Sequence, residues 1–208
     1  MRRRALVAAA FLGSAAGMSG YVLSSRPRDL PVPEGLLWPN PPRVHAFELE
    51  STQGSKFNVD SLKGRWSFVF FGFTFCPDIC PTTLVTMADV AKRLRQTHPN
   101  DAFQVVFVSV DPKRDTLERM ASYVRHFDEQ FVGARAELER LDGLTSQLGI
   151  AHFRGEPAEN GQYVVDHSAS IVLIDPNARR VGILSTPHTV EDIVARYGRM
   201  RAFLEAST

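Results

Sequence analysis

The chain contains two cysteines, which stand four positions apart in the stretch Phe-Cys-Pro-Asp-Ile-Cys-Pro at residues 75–81. The residues before them, 66–71, are apolar and aromatic, which is typical of a buried strand. After them, apolar residues recur at helical spacing over residues 82–96. The sequence therefore predicts a strand, a short turn and a helix, with Cys76 and Cys80 at the turn.

A cysteine pair in this position is expected to serve redox chemistry or metal binding. The positive end of a helix dipole favours a thiolate, so we expect lowered thiol pKa values. Because the cysteines belong to a turn, we also expect neither side chain to be central to the core. A purely structural disulfide is the least favoured alternative, since a bridge over this spacing closes too small a loop to stabilise much.

The rest of the chain alternates between strand-like and helical patterns. Strand-like runs are predicted at residues 47–49, 56–59, 103–110, 169–175 and 181–184, and helical patterns at 115–127, 137–148 and 190–205. Asp115 and Thr189 are the predicted N-caps of two of these helices. This order predicts the α/β class. A cysteine pair between the first long strand and its helix resembles the thioredoxin-like fold.

The N-terminus has the features of a membrane segment. Three arginines follow Met1, and residues 5–23 carry no charge over roughly 30 Å of helix length. We expect residues 1–25 to be a membrane anchor, or alternatively a cleaved signal segment, with the arginines in the cytoplasm. Residues 26–43 are rich in proline and predict a semi-rigid linker, followed by the domain at 44–208.

The overall composition excludes some classes of partner and fold. Lys and Arg number 24 against 23 Asp and Glu, so nothing indicates a nucleic-acid partner. Hydrophobic residues make up 44% of the chain, which is enough for a sizeable core. Two cysteines are too few for a disulfide-stabilised scaffold.

The spacing of the cysteines bears on their chemistry. On a helix, residues four apart have Cβ atoms about 5–6 Å apart, whereas a disulfide requires about 3.8 Å. A metal ion with bonds of about 2.3 Å holds two sulfur atoms roughly 4 Å apart. The spacing therefore favours metal binding, although a bend at Pro77 would permit a disulfide.

His167 is the histidine that strand order places near the cysteines. It precedes the strand predicted at 169–175, where thioredoxin-type redox enzymes carry a proline. Two thiolates and one imidazole form a soft ligand set suited to copper, whereas structural zinc requires a fourth ligand. Asp166 is a candidate for orienting the imidazole. The other histidines are expected to be solvated or in turns: His45, His98, His126, His152 and His188.

Three stretches resemble the motifs of the SCO/SenC family of copper chaperones, in the family's order. They are residues 72–83, 108–116 and 166–176, and the resemblance extends over about residues 44–205. It implies a thioredoxin-like domain on a membrane tether, with copper, as Cu(I) or Cu(II), bound by Cys76, Cys80 and His167. One position departs from the family, since many members have His where this chain has Phe75.

The resemblance also implies a function and partners. It implies assembly of the dinuclear copper centre in the copper-bearing subunit of cytochrome c oxidase, with thiol reductants or other copper chaperones as further partners. The implied location is the inner (cytoplasmic) membrane with the domain facing the periplasm, or the mitochondrial inner membrane in a eukaryote.

Two other functions use the same thiols. A thiol–disulfide oxidoreductase would employ Cys76 and Cys80 to reduce the target's cysteines. Peroxide chemistry is a weaker alternative, suggested by a threonine at position 74 near Cys76. The sequence shows no clear arginine partner for it.

Overall fold

The computed structural model describes residues 31–156 and 163–207. The strands in this part of the chain are β1 (Glu48–Ser51), β2 (Lys56–Asn58), β3 (Trp66–Gly72), β4 (Phe103–Ser109), β5 (Val132–Arg135), β6 (His152–Arg154), β7 (Val165–His167), β8 (Ile171–Ile174) and β9 (Arg180–Leu184). The helices are α1 (Val59–Leu62), α2 (Ile79–Thr97), α3 (Leu117–Phe127), α4 (Leu138–Leu148) and α5 (Val190–Ala206).

Seven strands form one mixed sheet in the order β2-β1-β5-β4-β3-β8-β9. Strands β3, β4 and β5 are parallel, and the outer pairs are antiparallel. Every residue of β3 is buried, and only the first residue of β4 is not. Such continuous apolar strands are expected where a sheet is covered on both faces. Strands β6 and β7 form a separate two-stranded sheet.

The helices bury apolar faces in the same core as the central strands. In α2 the buried face includes Leu84, Met87 and Leu94, which recur at helical spacing. This helix contacts α5 and α3, and α3 contacts β5. The predicted α/β class is confirmed, with a sheet that is mixed.

Local details differ from the prediction at several places, among them α1, which begins inside the strand predicted at residues 56–59. Helix α2 begins at Ile79, so Cys80 belongs to the first helical turn. The cap of α3 is Thr116, whose side chain accepts from the amide of Arg119, so the prediction of Asp115 as the cap was wrong. Strands β5, β6 and β7 had no counterpart in the predicted pattern.

Residues 32–43 are joined to the domain rather than separated from it. The side chain of Leu36 is buried in the core. The amide of Leu37 donates to Val181 at 2.8 Å, and the amide of Arg180 donates to Pro42 at 2.8 Å. The proline-rich segment predicted as a spacer therefore packs along β9 from at least Gly35 onward.

The predicted anchor over residues 1–25 lies outside the described residues. Within the described ranges, none of the helices combines the length and the apolar character needed to cross a bilayer.

Candidate metal site

The two thiols lie where β3 passes into α2. Strand β3 ends at Gly72, a loop follows, and α2 begins at Ile79. Both cysteines are free, Cys76 being half-buried and Cys80 completely buried. A Cβ atom on Gly72 would lie 2.7 Å from the Cys80 Sγ atom, so glycine is required for this close approach. The end of the strand thus makes room for the buried sulfur.

The imidazole of His167 reaches the same place from the β6–β7 hairpin. Its Nε2 atom lies 3.3 Å from Cys80 Sγ. Its Nδ1 atom lies 3.1 Å from the carbonyl oxygen of Ser168. A carbonyl only accepts hydrogen bonds, so Nδ1 carries the proton and Nε2 directs its lone pair toward the thiol. The contact that fixes the tautomer is therefore with the Ser168 backbone, while Asp166 is exposed.

Cys76, Cys80 and His167 form a compact group of three ligands. One ligand atom from each lies within 4.8 Å of the other two. Two sulfur atoms and one nitrogen suit a soft metal ion such as copper better than a hard one. Among the residues that the structure describes, this is the group of histidine, cysteine and acidic side chains that could hold a metal ion.

The buried position of Cys80 reverses one expectation. Burial raises the pKa of its thiol well above the usual range, because the charged thiolate is poorly solvated there, and the nearby Cys76 and Asp115 act in the same direction. The predictions of a lowered pKa and of a position outside the core were therefore wrong for Cys80. The physical reason is that α2 begins at Ile79, so that Cys80 lies in the first helical turn and its side chain points into the hydrophobic core.

The imidazole is also adapted to ligation. Burial lowers the pKa of His167, because the charged imidazolium would be poorly solvated, although the Ser168 carbonyl and Asp166 act against this. The neutral form is the one that binds metal ions. A neutral imidazole and a protonated Cys80 thiol thus face each other, and metal binding must release the thiol proton.

Aromatic rings enclose the imidazole. Phe70 and Phe73 meet its ring edge-on, with centroids 6.0 and 5.9 Å away. On the open side, Phe75 is 46% exposed and lies under the guanidinium of Arg119 at 4.0 Å. Phe75, the position at which the sequence departs from the resemblance described above, thus forms a cation–π pair with Arg119.

A buried carboxylate organises the loop beside the cysteines. Asp115 accepts hydrogen bonds from the Thr74 hydroxyl and from the Ser109 hydroxyl, each at 2.6 Å. The Nε atom of Arg119 donates to the Thr74 hydroxyl at 2.7 Å. An arginine therefore binds Thr74, the threonine near Cys76, and the sequence did not reveal it because Arg119 lies 45 residues further along the chain, in α3. The hydroxyl is already engaged by Asp115 and Arg119.

The other histidines lie apart from the three-ligand group. His45 and His126 are exposed, as predicted. His98 packs edge-on against Tyr197, His152 contacts Asp142 at 3.1 Å, and His188 lies 2.8 Å from the Ala169 carbonyl oxygen. These three are half-buried and partnered instead of fully solvated.

The fold and the site together define a class. A mixed sheet with paired thiols between a central strand and its helix is a thioredoxin-like arrangement, here supplemented by a histidine. The SCO1/SenC family profile matches residues 39–201. The chain belongs to the SCO1/SenC family.

Individual relatives agree with this assignment. An SCO2-like protein of Rickettsia felis is 38% identical over 134 residues, which cover 64% of this chain and 64% of the relative, just under two thirds of its length. The crystal structure of Arabidopsis thaliana ScoI with copper bound has a TM-score of 0.70 and 28% identity, covering 77% of this chain and 98% of that one. The structure of Bradyrhizobium japonicum ScoI with copper bound has a TM-score of 0.66 and 30% identity, covering 75% and 98%.

Proposed function

We propose that this chain is a membrane-tethered copper chaperone that delivers copper to, or prepares, the dinuclear copper centre of cytochrome c oxidase. The observation that carries the proposal is the convergence of Cys76, Cys80 and His167 within 4.8 Å. The copper-bound ScoI structures support copper as the cargo. The family resemblance of the motifs supports the oxidase subunit as the recipient, with thiol reductants or other copper chaperones as further partners.

The residues of the site suit a cargo that must later leave. Cys80 supplies a donor from the core, Cys76 supplies one at the surface, and His167 supplies a neutral nitrogen from a separate hairpin. Capture requires the loss of thiol protons, so copper affinity should rise with pH. The half-buried Cys76 is the ligand that a partner's thiol or imidazole can reach first.

The decisive variant is His167→Ala in the full chain. Two thiolates are a sufficient pair for Cu(I), so we expect binding of Cu(I) to weaken without disappearing. Cu(II) prefers more ligands and nitrogen donors, so the thiolate-to-Cu(II) charge-transfer absorption should be lost. His152→Ala is the matched control, because His152 pairs with His167 across the hairpin but is not one of the three ligands. Unchanged Cu(II) spectra in His167→Ala would contradict the assignment.

The same variant separates the chaperone from a thiol–disulfide oxidoreductase. Dithiol exchange depends on Cys76 and Cys80 and does not require the imidazole. A redox titration of His167→Ala should therefore give only a moderate change in the dithiol potential. A chain that keeps its reductase activity toward the oxidase subunit but never binds copper would establish the oxidoreductase instead.

We further propose that residues 1–25 anchor the chain and that the domain faces the periplasm, or the intermembrane side in a mitochondrion. The uncharged stretch after three arginines supports this topology. A membrane-impermeant thiol reagent should label Cys76 in intact spheroplasts, and the full chain should sediment with membranes. Failure to label Cys76 without permeabilisation would show that the topology is wrong.

A further inference from the structure

Tyr163 makes a contact that the three-ligand group does not use. It lies four positions before His167, and its hydroxyl donates to Asp111 Oδ1 at 2.6 Å. Asp111 is buried and follows β4, in the body of the domain. The hydrogen bond therefore joins the chain segment that carries the imidazole to the segment that leaves the central sheet.

Two arginines hold the phenol ring from different elements. The guanidinium carbons of Arg114 and Arg154 each lie 4.0 Å from the ring centroid of Tyr163. Arg114 also forms an ion pair with Asp111 through its Nε atom. Arg154 belongs to β6. The ring is thus fixed to both the body of the domain and the hairpin itself.

The hairpin needs such an attachment because its strands pair with each other and not with the main sheet. Besides the His167–Cys80 contact itself, a further polar side-chain contact of the hairpin to the body joins His152 to Asp142, whose carboxylate side chain is 66% exposed and therefore weakly held. Side chains at alternate positions of a strand share a face. Val165 is buried and Asp166 is exposed, so Val165 and His167 share the inward face of β7, and the half-buried Tyr163 precedes that strand by two residues.

We propose that Tyr163 is a positioning residue whose hydrogen bond to Asp111 fixes His167 beside the thiols. The two side chains are about 13 Å apart along an extended chain, so a displacement at the tyrosine reaches the imidazole through one short strand. The effect on copper rests on the function proposed above. The position of the imidazole in the metal-free protein does not depend on that function, and the first experiment tests it without copper.

The first experiment compares Tyr163→Phe with Tyr197→Phe in the full, metal-free chain. Tyr197 is a matched control, because its hydroxyl donates to Asp101 at 2.6 Å and its ring packs on Trp66, at the opposite end of β3 from Gly72. The His167 ring lies edge-on to Phe70 and Phe73, so its NMR signals are shifted by their ring currents. We expect these signals to move in Tyr163→Phe and to keep their positions in Tyr197→Phe. Unmoved signals in Tyr163→Phe would overturn the proposal.

The second experiment measures Cu(II) binding by titration against a competing chelator. We expect Tyr163→Phe to weaken Cu(II) binding roughly 10-fold and to reduce the charge-transfer band, as for the loss of one charge-assisted hydrogen bond. Cu(I) binding should change less. In a His167→Ala background, Tyr163→Phe should have no further effect, because the tyrosine acts through the imidazole. An equal effect in both backgrounds would show that its role is only structural.

A third variant covers the case in which Tyr163→Phe does not fold. Asp111→Asn still accepts from the tyrosine but loses its charge, so a smaller movement of the His167 signals is expected, and wild-type signals would count against the proposal. If the wild-type chain binds no copper while its His167 signals still depend on Tyr163, the proposed function fails and the positioning role stands. If it binds copper and Tyr163→Phe matches it in every measurement, the positioning role fails alone.

Discussion

Cys80 is completely buried beneath Gly72, whereas Cys76 is half-buried in the loop that precedes α2. The buried thiol is kept neutral by poor solvation and by the neighbouring carboxylate of Asp115. It can ionise at neutral pH only when a cation compensates the charge. The internal thiol is therefore suited to a metal ion more than to free nucleophilic attack.

The raised pKa of Cys80 predicts how stability depends on pH. In the unfolded chain a thiol ionises near pH 8.5, while the folded chain keeps the Cys80 proton to higher pH. The contribution of this thiol to the stability of the fold is therefore complete below about pH 8.5 and is lost as the pH rises above it. Between about pH 8.5 and 10, the free energy of unfolding of the metal-free protein should fall by up to about 1.4 kcal/mol per pH unit from this group. Cys80→Ser should remove that slope.

Urea unfolding at several pH values measures this, with Cys76→Ser as the control. The measurement stops near pH 10. Burial also raises the pKa values of Tyr123 and Tyr197, so at higher pH the ionisation of these tyrosines in the unfolded chain would lower the free energy of unfolding as well. Equal slopes for wild type and Cys80→Ser would contradict the prediction.

The elements that sequence patterns located best are those with long apolar or periodic runs. Strands β3 and β4 and helices α2 and α5 lie close to their predicted positions. Their buried residues are apolar and recur in long runs or at regular spacing, a pattern that the sequence shows directly. The β6–β7 hairpin was not visible, since each strand has three residues and part of it faces solvent. Cys76, Cys80 and His167 were predictable as residues, but the partners of the imidazole and of Thr74 depend on packing between distant segments.

Gly72, the last residue of β3, determines how closely the strand can approach the Cys80 sulfur. A Cβ atom there would lie 2.7 Å from both Cys80 Sγ and Phe107 Cε2, and Phe107 is buried. We expect Gly72→Ala to destabilise the fold by about 1–3 kcal/mol through overpacking and to weaken Cu(I) binding by displacing the sulfur. Urea unfolding and a Cu(I) competition titration check both effects.

The control is Gly143→Ala on α4, where an added Cβ atom meets nothing within 4 Å. Alanine should there stabilise the helix by about 0.5–1 kcal/mol and leave copper binding unchanged. If Gly72→Ala and Gly143→Ala change stability and Cu(I) affinity in the same way, the close approach of Gly72 to Cys80 is not important for folding or copper binding.

At the scale of the whole molecule, the folded domain begins before residue 44, the start that the proline-rich composition predicts. Leu36 is 8% exposed, and Trp38 meets Phe203 of α5 edge-on at 5.1 Å. A chain beginning at Val44 lacks these contacts, whereas one beginning at Val32 keeps them. Burying a leucine contributes about 1.5–3 kcal/mol, so the shorter chain should melt at a clearly lower temperature.

Calorimetry of the two chains measures this difference. In the longer chain, Leu36→Ala should reproduce much of the loss, while Val32→Ala, at a side chain that is 52% exposed, should have little effect. Equal melting temperatures for the chains that begin at Val32 and Val44 would show that the segment is only loosely associated.

Strand β9 is the last in the sheet order, so one of its sides would otherwise offer unpaired backbone groups to any other extended chain. The segment over residues 35–43 occupies that side through bonds such as Ile183 N to Gly35 O at 3.0 Å. The segment contains Pro39, Pro41 and Pro42, which have no amide hydrogen to donate. A second copy of the chain therefore finds no continuous row of donors on which to add a strand. Removing this proline-rich border should make the domain self-associate as its concentration rises.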